Sequence, residues 1–108
     1  MDKEVTAKVY TLRTEDGHWL GQVVLTSNGS FMSITDYGNF ANSWFCFGDD
    51  IRKFILSLNV DYFAQKMFHG MNYISTTNKI CKSAMLFSEK ILPALKEAIR
   101  EELESENK

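Results

Sequence analysis

The side chains best suited to nucleophilic or metal chemistry in this sequence are two cysteines and two histidines. Cys46 and Cys81 are 35 residues apart, and they form no CxxC pair with each other or with another cysteine. His18 and His69 are each isolated from other residues at metal-ligand spacing. Glycine-rich phosphate loops are also missing from the sequence. The pattern therefore predicts no catalytic residue, no metal site and no cofactor.

Both thiols are expected to be buried. Cys46 alternates with Phe40 and Trp44 on one face of a predicted strand, where burial would raise the pKa of its thiol and make it unreactive. Cys81 lies next to the apolar stripe of the last predicted helix. In a reducing compartment, two buried free thiols are the expected state, in preference to a disulfide or a metal site.

The segment Asp36-Tyr37-Gly38-Asn39 has two interpretations. In the structural one it is a tight corner, because Asp and Asn satisfy local backbone groups and Gly38 supplies a positive φ. Tyr37 would then cover the end of the sheet. In the functional one, Tyr37 and Asn39 contact a partner, because aromatic residues with polar neighbours are favoured at interfaces.

The first half of the chain alternates apolar and polar residues with a period of two, as half-buried strands do. Val5, Ala7 and Val9 alternate in this way with Thr6 and Lys8. Asp-Gly and Asn-Gly pairs mark two hairpin turns. The predicted strands begin at about residue 5 and continue at residues 19–26, 31–35 and 40–47. We therefore predict a four-stranded antiparallel meander over residues 1–47.

Two short helices are predicted after the strands. Asp49 and Asp50 are typical of a helix N-terminus, so the first helix should begin at Ile51. Asn59 can cap the second helix, which Gly70 would end.

The last predicted helix is the longest and begins at residues 75–77. Pro93, the only proline of the sequence, should kink this helix or split it in two. Its apolar stripe consists of Ile80, Ala84, Phe87, Ile91, Leu95, Ala98 and Ile99. Strands followed by helices indicate an α+β fold, in which a helical layer (48–108) covers one sheet face of a single 108-residue domain.

Composition narrows the range of partners. The net charge is −2, which disfavours direct binding of nucleic acid because that usually requires a basic excess. No apolar run has the roughly 18 residues of a spanning helix, and the charged N-terminus does not resemble a signal peptide. We therefore expect a cytoplasmic protein that does not bind a membrane.

The end of the chain is acidic: between residues 97 and 108, five glutamates stand against one arginine and one lysine. Carboxylates near a helix C-terminus oppose the helix dipole. They form either a frayed, solvated tail or an acidic surface for a basic target. In the second case the candidate residues are Glu101, Glu102 and Glu104.

The chain also resembles a family of small uncharacterised proteins from phages and prophages, whose motif runs close to SDYGN…W…G…F…FL…DY…K. The resemblance covers residues 19–66, and Thr35 stands where the family commonly has Ser. The matching residues are Trp19, Gly29, Asp36-Tyr37-Gly38-Asn39, Trp44, Gly48, Ile51, Phe54, Asp61-Tyr62 and Lys66.

This resemblance implies a phage-borne, non-catalytic protein in the host cytosol. Small phage proteins of this kind often bind and inhibit host machinery, including CRISPR-type defence complexes, so the implied partner is a host protein. It implies no catalytic residue. The alternative is a small enzyme or a nucleic-acid-handling accessory protein whose site is assembled only in three dimensions.

Overall fold

The structure is a computed structural model that describes residues 4–69 and 82–106. Four strands come first in the chain, β1 (Ala7–Arg13), β2 (Trp19–Thr26), β3 (Ser30–Thr35) and β4 (Ala41–Ser43). They form one antiparallel sheet in the order β1-β2-β3-β4. Within the described residues three helices follow, α1 (Ile51–Leu56), α2 (Val60–His69) and α3 (Lys82–Glu106). The predicted α+β fold and the predicted meander are confirmed.

The alternation of Val5, Ala7 and Val9 indicates that these residues face the core, but in the structure the opposite face of β1 does so. Its buried side chains are Tyr10 and Leu12, whereas Val5 and Val9 are 52% and 62% exposed. The register explains this, because Tyr10 lies opposite Val23, which belongs to the fully buried face of β2. A short alternating segment does not indicate which of its two faces the helices will cover.

Strand β4 is shorter than the predicted 40–47 and ends at Ser43. Its partner strand explains this, because Ser43 lies opposite Ser30, the first residue of β3. Beyond that point the N–H of Trp44 donates to the carbonyl of Gly29 in the β2–β3 turn, at 2.8 Å. A side chain at Gly29 would collide with the carbonyl of Trp44 and with the ring of Phe47. The segment after β4 therefore closes over the hairpin and does not extend the sheet.

Both short helices begin where the sequence predicts. The carboxylate of Asp50 accepts a hydrogen bond from the N–H of Arg52 at 2.9 Å, and so caps α1. The side-chain oxygen of Asn59 accepts one from the N–H of Tyr62 at 2.8 Å, at the start of α2. The predicted end of α2 at Gly70 lies outside the described residues.

Helix α3 is continuous from Lys82 to Glu106 and is not split at Pro93. Because Pro93 has no N–H, it donates no hydrogen bond to the carbonyl of Glu89, four residues earlier. Both Pro93 and Glu89 are exposed. That carbonyl lies on the solvent side of the helix, while Leu92 and Leu95 on the other side are buried. The predicted start of this helix at residues 75–77, its stripe residue Ile80 and the thiol of Cys81 lie outside the described residues.

The core lies between the inner face of the sheet and the helices. Its centre is a group of fully buried aromatic rings, Phe31 from β3, Phe63 from α2 and Phe87 from α3. The rings of Phe31 and Phe63 meet edge to face, with centroids 5.4 Å apart. This packing covers one face of the sheet, and none of the described helices covers the other face.

Candidate interaction surfaces

The corner between β3 and β4 is organised by local hydrogen bonds. The Oγ1 of Thr35 accepts from the N–H of Tyr37 at 3.0 Å and donates to the carbonyl of Gly38 at 2.7 Å. The Oδ1 of Asn39 accepts from the N–H of Thr35 at 3.3 Å. Gly38 has a φ of 118°, so the predicted positive φ at this residue is confirmed. Asp36 joins the corner to β2, because its N–H donates to the carbonyl of Leu20 at 3.2 Å.

Within the corner, Tyr37 is half-buried and packs against the core, while Asp36 and Asn39 are exposed. These contacts account for the corner as structure. The role of Tyr37 and Asn39 in partner binding stays a prediction. The hydroxyl of Thr35 makes the bonds that shape the turn, a role that was not predicted when Thr35 was noted only as a departure from the family motif. A Thr or Ser two residues before a turn residue is a usable signal for such a bond.

The acidic end of α3 belongs to a network centred on Arg52. The guanidinium of Arg52 lies 2.8 Å from the carboxylate of Asp50 and 2.7 Å from that of Glu102, and it also pairs with Glu106. The hydroxyl of Tyr10 donates to Glu102 at 2.8 Å, and the Nζ of Lys8 lies 3.5 Å from the same carboxylate. The network joins β1, the start of α1 and the end of α3.

Hydrogen bonding to Arg52 holds the pKa of Asp50 below its ordinary value. For Glu102, burial raises the pKa, but the hydrogen bonds from Arg52 and Tyr10 outweigh it and the net pKa is lowered. Burial, together with the bond to Glu102, raises the pKa of Tyr10. Asp50 and Glu102 are thus stabilised in their charged forms by groups of the same chain.

The three predicted tail residues have different surroundings. Glu102 is engaged by Arg52 and Tyr10, and its side chain is only 21% exposed. Glu101 and Glu104 are exposed. The tail packs along β1, at the edge of the sheet opposite β4. The corner and the tail are therefore separate surfaces, and their binding roles stay predictions.

Of the side chains considered for nucleophilic or metal chemistry, those of Cys46 and His18 lie in the part that the structure describes, residues 4–69 and 82–106. Cys46 is exposed, which corrects the expectation of a buried thiol: β4 ends at Ser43, so the predicted strand face does not reach Cys46. The imidazole of His18 lies 3.7 Å from Asp16, and both side chains are largely exposed. Over the same residues there is no group of three or more His, Cys, Asp and Glu side chains that could hold a metal ion.

The outer face of the sheet, on the side away from the described helices, is a further surface of the domain. The pairing of β1 with β2 is irregular between Leu12 and Arg13, and the exposed, charged Arg13 at the end of β1 is therefore left outside the set. We define the outer face as the remaining strand residues that alternate with the core-facing ones: Ala7, Val9, Thr11, Gln22, Val24, Thr26, Ser30, Met32, Ile34, Ala41 and Ser43. All of them are uncharged, although 24% of the chain is charged. In β3, apolar residues occupy both sets of alternating positions: Phe31 faces the core, and Met32 and Ile34 face outward. This pattern indicates a sheet that is apolar on both faces.

An apolar row crosses the outer face from one edge to the other. Val9 lies opposite Val24, Val24 opposite Met32, and Met32 opposite Ala41. Met32 is 46% exposed, and Ile34, one row further, is 62% exposed. At the margins of the sheet, Trp19 is 39% exposed and Phe45 is 93% exposed.

Among the helices that the structure describes, none is both long enough and apolar enough to cross a membrane.

The model of a phage protein family, Phage_phiTE_072, matches residues 2–86. Neither the curated proteins nor the solved structures contain a match to this chain.

Proposed function

The chain belongs to this phage family, and on that premise we propose that it is a non-catalytic binding protein that attaches to a host protein and blocks it. The observation that carries the proposal is the uncharged outer face of the sheet. Apolar rows open to solvent cost free energy unless a partner covers them, and contiguous exposed patches often mark interaction sites.

The outer face shares one feature with interface centres, where charged residues are depleted: none of its members carries a charge. Strand spacing and rise give the four strands a footprint of roughly 400 Å². A standard interface takes about 800 Å² from each partner, so contacts would extend beyond the sheet to its margins. Trp19 and Phe45 are the exposed aromatic side chains at those margins.

A host protein is the target class that the phage origin favours, and a CRISPR-type defence complex is the specific candidate that we propose. Such complexes bind nucleic acid through basic surfaces. The exposed acids Glu101 and Glu104 have the charge that would complement a basic surface. Tyr37 and Asn39 remain candidates for a second contact.

The alternative of a small enzyme requires ionisable groups that converge on a pocket and are available to a substrate. The nearest feature is a cavity of about 520 Å³ beside the Arg52 network, lined among others by Lys8, Asp49 and Arg52. The charges of the network are paired with one another, which favours a structural role over a catalytic one. We therefore favour the binding protein.

The test is affinity purification of the tagged protein from host lysate, with Met32→Gln and Ile34→Asn introduced together. The matched control is Leu86→Gln, because Leu86 on α3 is 45% exposed, close to the 46% of Met32, but lies away from the sheet. We expect the wild type and the control to retain a common host protein, and the outer-face variant to retain about tenfold less of that protein. The reason is that interface anchors contribute more than about 1 kcal/mol each to binding. Equal recovery with all three proteins, each folded by circular dichroism, would refute the outer face as the binding surface.

A further inference from the structure

A groove of about 750 Å³ runs between β1 and α3. Its α3 side includes the small residues Pro93, Ala94 and Ala98, which leave space beside the helix, and Leu12 and Leu20 form its apolar base. Glu97 and Glu101 line it one helical turn apart. The Arg52 network separates this groove from the cavity described above. None of the residues of the network lines the groove.

The groove reaches the edge of the sheet that β1 forms. The N–H of Ser27 donates to the carbonyl of Thr6, so these two residues are a hydrogen-bonded pair. Because such pairs alternate in an antiparallel ladder, Lys8, Tyr10 and Leu12 also bond to β2. The main-chain groups of Val9 and Thr11 then point away from β2, and no further strand of the described chain lies on that side of β1. Thr11 lines the groove.

From this juxtaposition we infer that the groove binds an extended segment of a partner protein, which adds to the sheet as a fifth strand beside β1. The outward N–H and C=O of Val9 and Thr11 supply the main-chain hydrogen bonds of strand addition. One apolar side chain of the segment enters the space beside Ala94 and Ala98. The inference rests on the proposed function, since it describes how the partner of such a binding protein is held.

The charges that line the groove indicate which residue stands next to the apolar anchor of the bound segment. Glu97 and Glu101 are exposed carboxylates at positions i and i+4, where like charges disfavour a helix. Glu97 lies 3.4 Å from Arg100, but both of these side chains are more than half exposed, so this pair neutralises it weakly. Two cations and a third acid also line the groove: Arg13 already donates to the carbonyl of Gly17 in its own hairpin, at 3.2 Å, and Lys90 and Glu15 are exposed. The lining as a whole thus keeps an excess of acidic residues. The segment therefore carries a Lys or Arg next to its apolar anchor, opposite the two glutamates.

A second copy of the chain is a poorer occupant of the groove. If two β1 strands paired, the core-facing side chains of the incoming strand, Tyr10 and Leu12, would already be buried in their own domain. Its outward residues, Val9 and Thr11, would continue the outer face and would not enter the groove. In a linear segment from another protein, the side chains on both sides of the added strand are available for binding.

The probe is a display library of random linear 12-residue peptides, selected on the immobilised full chain. Enriched peptides are then synthesised and titrated against wild type and variants. Glu101→Lys should weaken the binding of basic peptides about fivefold or more, since it replaces an attraction by a repulsion. Glu104→Lys is the matched control, because Glu104 is exposed on the same helix but does not line the groove. Thr11→Pro removes a donor that points away from β2, and it should lower affinity about tenfold without breaking the β1–β2 ladder.

The expected result is a family of peptides with an apolar residue next to Lys or Arg, weakened by Glu101→Lys and not by Glu104→Lys. No enriched peptide, or equal effects of the two charge reversals, would overturn the inference. If Thr11→Pro does not fold, as judged by circular dichroism, the pair of charge reversals decides alone. Peptides whose binding is weakened by Met32→Gln but not by Glu101→Lys would overturn the groove as the binding site while supporting the proposed function. A dimer of the chain that Thr11→Pro dissociates would assign the edge of β1 to a second copy and would also overturn the inference.

Discussion

At the corner between β3 and β4, one hydroxyl group and one glycine determine the path of the main chain. The Oγ1 of Thr35 bonds to Tyr37 and Gly38, and the φ of 118° at Gly38 is accessible to few side chains. A Cβ at Gly38 would lie 2.8 Å from the ring of Phe40. Phe40 is buried and packs on Phe87, with ring centroids 4.2 Å apart, so the corner is coupled to the core.

Gly38→Val should lower the free energy of unfolding by about 2 kcal/mol or more, because it adds a steric conflict with Phe40 to the backbone strain. Gly17→Val is the matched control: Gly17 has a φ of 89°, and no atom lies within 4 Å of the position its Cβ would take. The control should show the backbone strain alone and therefore a smaller loss in urea unfolding. Equal losses in the two variants would mean that the contact with Phe40 has no effect, and a wild-type midpoint for Gly38→Val would refute the turn.

At the scale of elements, α3 shows how packing overrides a local helix breaker. Proline inside a helix removes one hydrogen bond and costs about 3 kcal/mol relative to alanine. Helix α3 nevertheless continues through Pro93, because Phe87, Ile91, Leu95 and Ile99 on its inner side are fully buried. The burial of several large side chains, at about 1.5–3 kcal/mol each, exceeds the loss.

Pro93→Ala should therefore raise the free energy of unfolding by about 1–3 kcal/mol, since it restores the N–H that can bond to the carbonyl of Glu89. Urea unfolding at neutral pH measures the change. Glu89→Ala, an exposed substitution on the same side of the helix, is the control and should change stability by no more than about 0.5 kcal/mol. A loss of stability in Pro93→Ala would show that the proline ring itself makes a necessary contact.

At the scale of the whole molecule, the Arg52 network ties together parts of the chain that are far apart in sequence. The side chain of Arg52 is 18% exposed and that of Glu102 is 21% exposed, so water screens the pair only partly. Asp50 serves twice, as the cap of α1 and as a partner of Arg52. The end of α3 is thereby held on β1, although five glutamates near a helix C-terminus would otherwise favour fraying.

Stability should fall at acid pH through this network. Asp50 and Glu102 have folded-state pKa values below their ordinary 3.8 and 4.5, so the unfolded chain takes up their protons first. The contribution is complete above about pH 4.5 and decreases as the pH falls through the lowered pKa values. Urea unfolding between pH 7 and pH 3 should show this loss in the wild type and a smaller one in Arg52→Gln.

Arg100→Gln is the control for this pH series, because Arg100 and Glu97 form an exposed pair. It should follow the wild-type pH dependence. If Arg52→Gln also follows it, the network does not contribute to the acid sensitivity.

Local sequence determined the elements of this protein, because turns, caps and periods depend on neighbouring residues. The Asn-Gly turn before β3, the cap of α1 by Asp50 and the cap of α2 by Asn59 were all predictable, and with them the α+β order. The length of β4 was not, since it depends on where β3 begins to offer a partner.

Tertiary structure alone decided which surfaces are available to a partner. Val9, Met32 and Ile34 alternate like core residues, but the helices cover the other face of the sheet. Glu102 looked like its exposed neighbours Glu101 and Glu104 until Arg52, fifty residues earlier, was placed beside it. Contacts between residues so far apart in sequence depend on how whole elements pack, and local patterns do not encode which elements meet.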